Sequence, residues 1–411
     1  MDEIKKCRIS GDTNLISVLN LGDQYLTGVF PDSKDTKITK GPLGLVWSPT
    51  SQLLQLAHSF DLGEMYGENY GYRSGLNQSM VTHLTNKIHG LEKLVNLQSG
   101  DSVIDIGSND ATSLKAYTTR GINRIGVDPT GEKFRSYYTD DIKLVVDFFP
   151  SNHVSSLLSG NRAKIISSIA MFYDLEDPVG FAQSISDFLH KDGVWHFEQS
   201  YMPSMIRMNS YDTICHEHLE FYTLFNIKYI LDRADLRILD VQMNGVNGGS
   251  FAVTAVKKES TRKSNDVLIN WLLQEEIKMG FDSPKPFRDF ENRVFQHRKS
   301  LKSLIDALTS DGKRVMGYGA STKGNVLLQF CNFTEKDISG IAEVNPDKYG
   351  CFTPGTNIPI FSEEETKKMN PDYYFVLPWH FKDGIVRREQ EFLSKGGKLI
   401  FPFPEIEIVG G

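Results

Sequence analysis

The stretch VIDIGSNDATSL, Val103 to Leu114, decides the fold. It begins as an apolar run rich in β-branched residues, turns through Gly107 and small polar residues, and passes into the helical stretch SLKAYTTR. A strand that turns through glycine into a helix lets backbone approach a ligand closely and aims helix N–H groups at it. Working outward, the pattern MVTHLTNKIHGLEKLVNL from Met80 to about Leu97 is helical. RIGVDP, KLVVDFF and KIISSIAMFYDL read as strands, DPVGFAQSISDFLH as a helix and GVWHFEQS as a strand. This alternation predicts a parallel, doubly wound α/β sheet.

A second unit of the same kind, RVMGYGASTKGNVLLQF, runs from Arg314 to Phe330. The strands ISGIAEVN, DYYFVLP and GGKLIFPFP follow it. Two such units predict two nucleotide-like ligands, and with them group transfer rather than binding alone. Around them the chain divides into a small irregular domain with short strands (1–80), the first α/β unit (81–258), a polar helical connector or arm (259–312) and a second Rossmann-like α/β domain (313–411).

The bulk numbers narrow the function. The chain has 411 residues, 40% hydrophobic and 24% charged, with a net charge of −7. That is ordinary for a globular protein with real cores, and the acidic balance argues against a nucleic-acid partner. Cys7, Cys215, Cys331 and Cys351 form no C-x-x-C pair, which points to reduced thiols in cytoplasm. MDEIKKCRIS lacks the apolar core of a signal peptide, and no apolar run approaches the roughly 20 residues of a membrane helix. No obligate protein partner is evident.

In the first turn, Asp105, Gly107 and Asp110 form D-x-G-x-x-D around Asn109. Ala111 stands where the dinucleotide fingerprint needs its third glycine, which argues against NAD. Asp128 ends the next strand, about 20 residues on, where a carboxylate accepts the hydrogen bonds of a ribose diol. Asp147, with Phe148 beside it, ends the third strand, where an acid meets an adenine amino group. Together these point to S-adenosylmethionine (SAM). The competing reading is a plain tight turn with Asp128 as a helix cap.

SYMPSMIRMNSYDTICHEHLEFYTL, Ser200 to Leu224, carries the chemistry. It gathers His216, Glu217 and His218 beside Cys215, Tyr211 and Tyr222. A histidine near neutral pKa takes protons, and a neighbouring carboxylate orients or stabilises it. The spacing suits a metal badly on a helix; on a strand His216 and His218 share a face, so a metal reading stays open there. In the second unit, Gly317 and Gly319 permit close backbone approach, and Ser321, Thr322 and Lys323 offer donors and charge to a diphosphate. The other reading is a vestigial half-site with Lys323 solvated. Asn247, Gly248, Gly249 and Ser250 either present N–H groups to a sugar or turn a hairpin. Trp379 and His380 at a strand end either stack on a ring or pack in the core.

These motifs make the chain resemble the nucleotide-sugar C-methyltransferases, the three-domain SAM enzymes of branched-chain deoxysugar biosynthesis. YGYRSG (Tyr70 to Gly75), VIDIGSND, GVDPT, SIAMFYDLEDP, ICHEH, NGGS, GYGASTKGN and VNPDKYGCFTPGTNIPI carry the resemblance across essentially the whole chain. It implies an N-terminal zinc-binding domain, a central class I methyltransferase domain and a C-terminal domain that helps hold the nucleotide sugar. The implied reaction is methylation next to a ketone, typically in a 4-keto-6-deoxyhexose. His218 matches the family's base, with Glu217 and Tyr72 as neighbours; His216 of the same motif, and Tyr70 and Arg73 of YGYRSG, enter the site by the same match. The zinc ligands depart from the pattern. Where the family has two C-x-x-C pairs, this chain has Cys7 with Ser10, and Ser48 with Ser51, so no zinc is expected. Cys215 replaces a common Tyr, and Met171 stands where some members carry His.

Carbon methylation needs an enolate, so a base removes the proton and something stabilises the oxyanion. His218 is the expected base, Glu217 tunes it, and Tyr72 donates to the enolate or a sugar oxygen. A sugar O-methyltransferase and a non-catalytic nucleotide-sugar-binding protein are the alternatives.

Overall fold

A computed structural model describes residues 1–65 and 73–410. Tyr70 and Tyr72 lie outside the described residues. The N-terminal strands β1 (Ile16–Tyr25), β2 (Lys40–Trp47) and β3 (Leu54–Leu56) pair antiparallel. Along β2 every second residue is buried, which puts Leu43, Leu45 and Trp47 on one face. The strands are longer than the Gly- and Ser-interrupted sequence suggests, because β1 spans ten residues and bends through register shifts instead of ending.

Helix α1 (Gln78–Val95) starts where the Asn77 side chain accepts the Ser79 N–H, and it buries Leu84, Ile88, Leu91 and Val95 along one stripe. Next come β4 (Ser102–Ile106), α2 (Thr112–Lys115), β5 (Asn123–Val127), β6 (Ile142–Val145), β7 (Ala163–Ile169), α3 (Pro178–Phe188) and β8 (Leu189–Ser200). Every residue of β4 is buried, as a strand covered on both faces requires. Helix α2 is far shorter than SLKAYTTR implies. The N–H and hydroxyl groups of Thr118 and Thr119 go to the Glu92 carboxylate at 2.8–2.9 Å, so the backbone has partners other than the next helical turn.

The chain then leaves this sheet. β9 (Glu220–Phe221) pairs with β3 and becomes the fourth strand of the N-terminal sheet. After α4 (Leu224–Arg233), β10 (Leu236–Asn244) and β11 (Ser250–Lys257) return and complete a seven-stranded sheet ordered β10-β11-β8-β7-β4-β5-β6. β11 runs antiparallel to both neighbours. The sequence stretch ICHEH is thereby strung between two domains.

Helices α5 (Asp266–Lys278) and α6 (Lys285–Ser310) follow. They are no free arm: α6 buries Phe287, Phe290, Val294, Leu301 and Ile305, and Phe287 meets Trp47 of β2 at 5.9 Å between ring centroids. Each such side chain contributes about 1.5–3 kcal/mol on burial. The last domain has β12 (Val315–Tyr318), α7 (Thr322–Phe330), β13 (Ile341–Glu343), β14 (Ile360–Ser362), β15 (Tyr373–Val376), β16 (Lys398–Phe401) and β17 (Glu407–Val409). Its sheet is ordered β14-β13-β12-β15-β16-β17, parallel except at β17. One apolar core runs from the N-terminal strands through α6 into this domain, while the central sheet keeps a second core with α3 and α4. Among the described residues no helix is long and apolar enough to cross a membrane.

Candidate active site

The first glycine turn joins β4 to α2. Gly107 sits at φ +72°, and a Cβ there would lie 3.3 Å from Met171 Cγ, so glycine keeps this cradle open. Asp128 at the tip of β5 holds the turn, with Oδ2 accepting the Asn109 N–H at 2.7 Å and Oδ1 accepting the Thr130 N–H at 2.7 Å. Asp110 accepts the Gly75 N–H at 3.0 Å, and the Asn109 side chain accepts the Ser74 N–H at 3.0 Å. Arg73, expected at the substrate, therefore lies over this turn, its guanidinium 4.7 Å from the Tyr137 ring. Asp105 is buried and hydrogen-bonded by Ser167 at 2.6 Å, and burial pushes its carboxyl up to about 7. Asp147 caps its own loop through the Ser151 hydroxyl at 2.7 Å, while Phe148 beside it is 51% exposed. An open glycine cradle, an acid at a strand tip and a free aromatic face fit a nucleoside such as that of SAM.

The second part of the site lies where three domains meet. His218 Nδ1 donates to the Thr213 carbonyl at 2.8 Å, and its ring tilts against Tyr173 with centroids 4.3 Å apart. That bond fixes the tautomer, and Nε2 takes no hydrogen bond among the described residues. Burial first, and the nearby Lys323 ammonium second, press the ring's pKa down to about 4. Glu217 is buried, and the Thr27 hydroxyl of the N-terminal domain donates to it at 3.4 Å. A Cβ on Gly28 would lie 2.5 Å from Glu217 Oε1 and 3.8 Å from Thr322 Oγ1, so glycine lets the three domains close at this point. Burial raises the Glu217 pKa.

His216 does not join this site. HEH lies in a turn before β9, not on a strand, so the two imidazoles do not share a face. His216 is fully buried in the N-terminal interface, edge-on to Phe60 with centroids 4.5 Å apart. The paired-histidine metal reading falls with that geometry, and among the described residues no group of three His, Cys, Asp or Glu is placed to hold a metal.

The second glycine turn is built differently from its sequence. A Cβ on Gly317 would lie 2.3 Å from Ile341 Cδ1, and one on Gly319 2.8 Å from Pro378, so sheet packing occupies both approaches. Ser321 caps α7 by accepting the Gly324 N–H at 3.0 Å. Lys323 is half-buried rather than turned outward: its Nζ donates to the Asn247 carbonyl at 3.2 Å, across the domain boundary. The NGGS segment is a hairpin turn between β10 and β11. Its Gly248 and Gly249 N–H groups bond back to Gly245 and Val246, and the Ser250 hydroxyl donates to Val246 at 2.9 Å, so these donors are spent inside the loop. Trp379 presents no free face either. It is buried, its edge lies against Gly248, and its Nε1 donates to Asp212 Oδ2 at 2.8 Å.

Asp212 and Thr213 escaped the sequence reading, which singled out their neighbours Tyr211 and Cys215. The only signal was their place in the same polar stretch, YDTICHEH. Tyr211 is instead buried against His297, which it meets at 3.0 Å.

The zinc pattern fits poorly. Cys7 Sγ and Ser51 Oγ share a hydrogen bond at 3.0 Å, and Ser51 N–H points to Ser48 Oγ at 3.5 Å. One thiol and three hydroxyls, with Cys7 and Ser51 already paired to each other, are a weak donor set beside the thiolates and imidazoles that hold zinc.

Comparison with known proteins agrees with this layout. Three family models match in chain order: a zinc-binding domain over 7–66, a methyltransferase domain over 82–241 and a C-methyltransferase C-terminal domain over 245–404. The chain is 27% identical over 409 residues to the C-methyltransferase NovU of Streptomyces niveus, covering 99% of this chain and 97% of that protein. Among solved structures it is similar to a S-adenosylmethionine-dependent methyltransferase from Clostridium acetobutylicum (11% identity, TM-score 0.33, 43% of this chain and 92% of that one). It is also similar to magnesium protoporphyrin IX methyltransferase from Synechocystis PCC 6803 (11% identity, TM-score 0.32, 44% and 79%). With a methyltransferase domain and a C-methyltransferase C-terminal domain matched in chain order, and a full-length relative that is a C-methyltransferase, the chain is a SAM-dependent C-methyltransferase.

Proposed function

We propose that the chain methylates the carbon next to the ketone of a nucleotide-linked keto-deoxyhexose, through an enolate raised by His218. One observation carries this reading. His218 is locked by Thr213 as the tautomer whose Nε2 keeps its lone pair, and it stands at the junction of the three domains. A ring held well below its ordinary pKa is neutral at physiological pH, so the basic form is the resident one.

SAM, when bound, supplies an electrophilic methyl group on a sulfonium. Asp105, Gly107, Asn109, Asp110, Asp128, Asp147 and Phe148 are the residues we assign to holding it. Glu217 orients the region around the base from within the same turn. Tyr72 and Tyr70, from the segment that leads to Arg73, are assigned to the substrate, with Tyr72 donating to a sugar oxygen. The diphosphate belongs at the N-terminal end of α7, near Ser321 and Thr322. Proximity of the carbon to the methyl group supplies much of the rate. We further propose that the N-terminal domain holds no zinc, its place being taken by the Cys7–Ser51 pair and by packing. The four free thiols support a reducing, cytoplasmic setting.

A panel of nucleotide-linked keto sugars incubated with SAM tests the substrate class, read by mass spectrometry. A product heavier by one methyl group, with the new bond on carbon by NMR, supports the reading. A methyl group found on oxygen, or binding of both compounds without turnover, overturns it.

A further inference from the structure

Away from both glycine turns, a cavity of about 860 Å³ opens between helix α1 and the β10 edge of the central sheet. None of the residues lining it belongs to the SAM cradle or to the turn that carries His218. One wall is a stripe of α1: His83, Lys87, Gly90 and Leu94 follow the i, i+4, i+7, i+11 spacing of a single helix face. From His83 to Leu94 that face runs about 16 Å, at roughly 1.5 Å per residue. The floor is a row across three strands, with His196 of β8 opposite Thr254 of β11, and Thr254 opposite Asp240 of β10. Arg262 closes the Leu94 end, its guanidinium donating to the Leu94 carbonyl at 2.8 Å and to the Asp192 carbonyl at 3.2 Å.

Packing leaves two features of this cavity unexplained. His196 is only 4% exposed, and its Nδ1 meets the Thr254 hydroxyl at 3.0 Å. Its Nε2, the other nitrogen of a ring that lines the cavity, has no hydrogen-bond partner among the described residues. Burial first, and the Lys87 ammonium second, press the ring's pKa down to about 3, so the imidazole is neutral and Nε2 keeps either a hydrogen or a lone pair to satisfy. A polar atom left unmet inside a protein costs stability, and a ligand that meets it recovers that cost. The second feature is Gly90. Inside a helix glycine is less favourable than alanine. A Cβ at Gly90 would meet nothing within 4 Å, so no neighbouring group requires the glycine. What its missing side chain provides is width in the cavity.

The lining also has a sign. Lys87 is spent on the buried Glu198 carboxylate at 2.7 Å, which His83 at 2.6 Å and Asn244 at 2.9 Å hold as well. The charged side chains that remain in the lining are Arg262 and Lys263 against the single carboxylate of Asp240, itself bonded by Asn265 at 3.0 Å. Leu91, Leu239 and Met243 add an apolar share. The volume falls among those of small-molecule sites, roughly 300–1,000 Å³. We propose that this cavity is a second ligand site, separate from the SAM and sugar sites, for a small organic anion: a phosphate or carboxylate on a ring or other apolar body. The charged group answers to Arg262 and Lys263, the body to Leu91, Leu239 and Met243, and a polar atom of the ligand to His196 Nε2. The site stands independently of the sugar chemistry proposed above.

Calorimetry on the full chain tests this, with SAM present at saturation so that the first cradle is filled. The probes are 1-naphthyl phosphate, 1-naphthoate and uncharged 1-naphthol. We expect one saturable site for at least one of the two anions, and the tighter of them tells a phosphate ligand from a carboxylate. Naphthol should bind at least about tenfold more weakly than that anion. Gly90→Phe, which sets a ring in the open space, should weaken the anion at least about tenfold, while Gly90→Ala stays within about threefold of wild type. Lys263→Met should weaken the anion and leave naphthol unchanged. Circular dichroism and SAM affinity at the wild-type level show that the variants are folded. No saturable binding of either anion overturns the proposal, as does naphthol binding as tightly as they do, or Gly90→Phe binding the anion as wild type does. Should Gly90→Phe not fold, wild-type crystals soaked with the tighter anion decide. Density for it between α1 and β10 supports the site, and density only elsewhere overturns it.

Discussion

The two glycine turns look alike in sequence and are put to different use. In the first, Gly107 keeps a left-handed turn open above Met171, with Asp128 behind it and Phe148 exposed nearby. In the second, Ile341 and Pro378 fill the space that Gly317 and Gly319 vacate. There the glycines serve the sheet, and what reaches the site is the start of α7: Thr322 beside Gly28, and Lys323 against Asn247. A glycine-rich strand–turn–helix unit states that something comes close to backbone. Only the structure says whether it is a ligand or a neighbouring side chain.

Four expectations would break or sharpen this contrast. The largest is His218→Asn, which should lower methyl transfer about 10²–10⁴-fold, the range of a general base, while SAM affinity stays at the wild-type level by calorimetry. Next, Asp128→Ala should weaken SAM binding roughly 10–100-fold, since hydrogen bonds to a charged group contribute about 1.5–3 kcal/mol. The same variant should leave affinity for the nucleotide sugar unaltered; a loss there instead would erase the distinction between the two turns. Gly317→Ala should cost about 1–3 kcal/mol of stability through overpacking against Ile341. It should lower the melting temperature but change neither ligand's affinity, and an affinity loss would restore Gly317 as a ligand contact. The smallest effect concerns acid. Because the His218 pKa is lowered from 6.5 to about 4, its basic form persists as pH falls, so kcat/KM should stay level through pH 6 and decline only on approach to the lowered value. A midpoint at the ordinary histidine pKa would contradict this burial and the influence of the Lys323 charge together. Metal analysis of the purified protein should find no stoichiometric zinc.

Much of the framework was legible because it rests on local periodicity. The buried strands β4, β5, β7 and β8 and the amphipathic α1 and α3 follow from apolar spacing. What was hidden depends on distant partners. β9 is two residues long and exists only because β3 offers it an edge. α6 reads as a polar arm, yet its apolar stripe closes the core shared by the first and last domains. HEH was legible by residue type, and the resemblance entered His218 and His216 together; the turn that parts their rings precedes β9, whose pairing with β3 no local pattern showed. Lys323 was legible as a charge, but its acceptor Asn247 lies 76 residues upstream in another domain, so no local pattern showed the contact. Asp212 gave no signal beyond its place in the polar stretch YDTICHEH, its partner Trp379 being 167 residues away.

The most direct measurement is hydrogen–deuterium exchange at the sugar carbon in heavy water, without methyl donor, for wild type and His218→Asn side by side. The account predicts that wild type labels one carbon next to the ketone and that the variant leaves it unlabelled over the same time. Labelling by the variant at the wild-type rate, or methylation by a wild type that never exchanges that hydrogen, would contradict it.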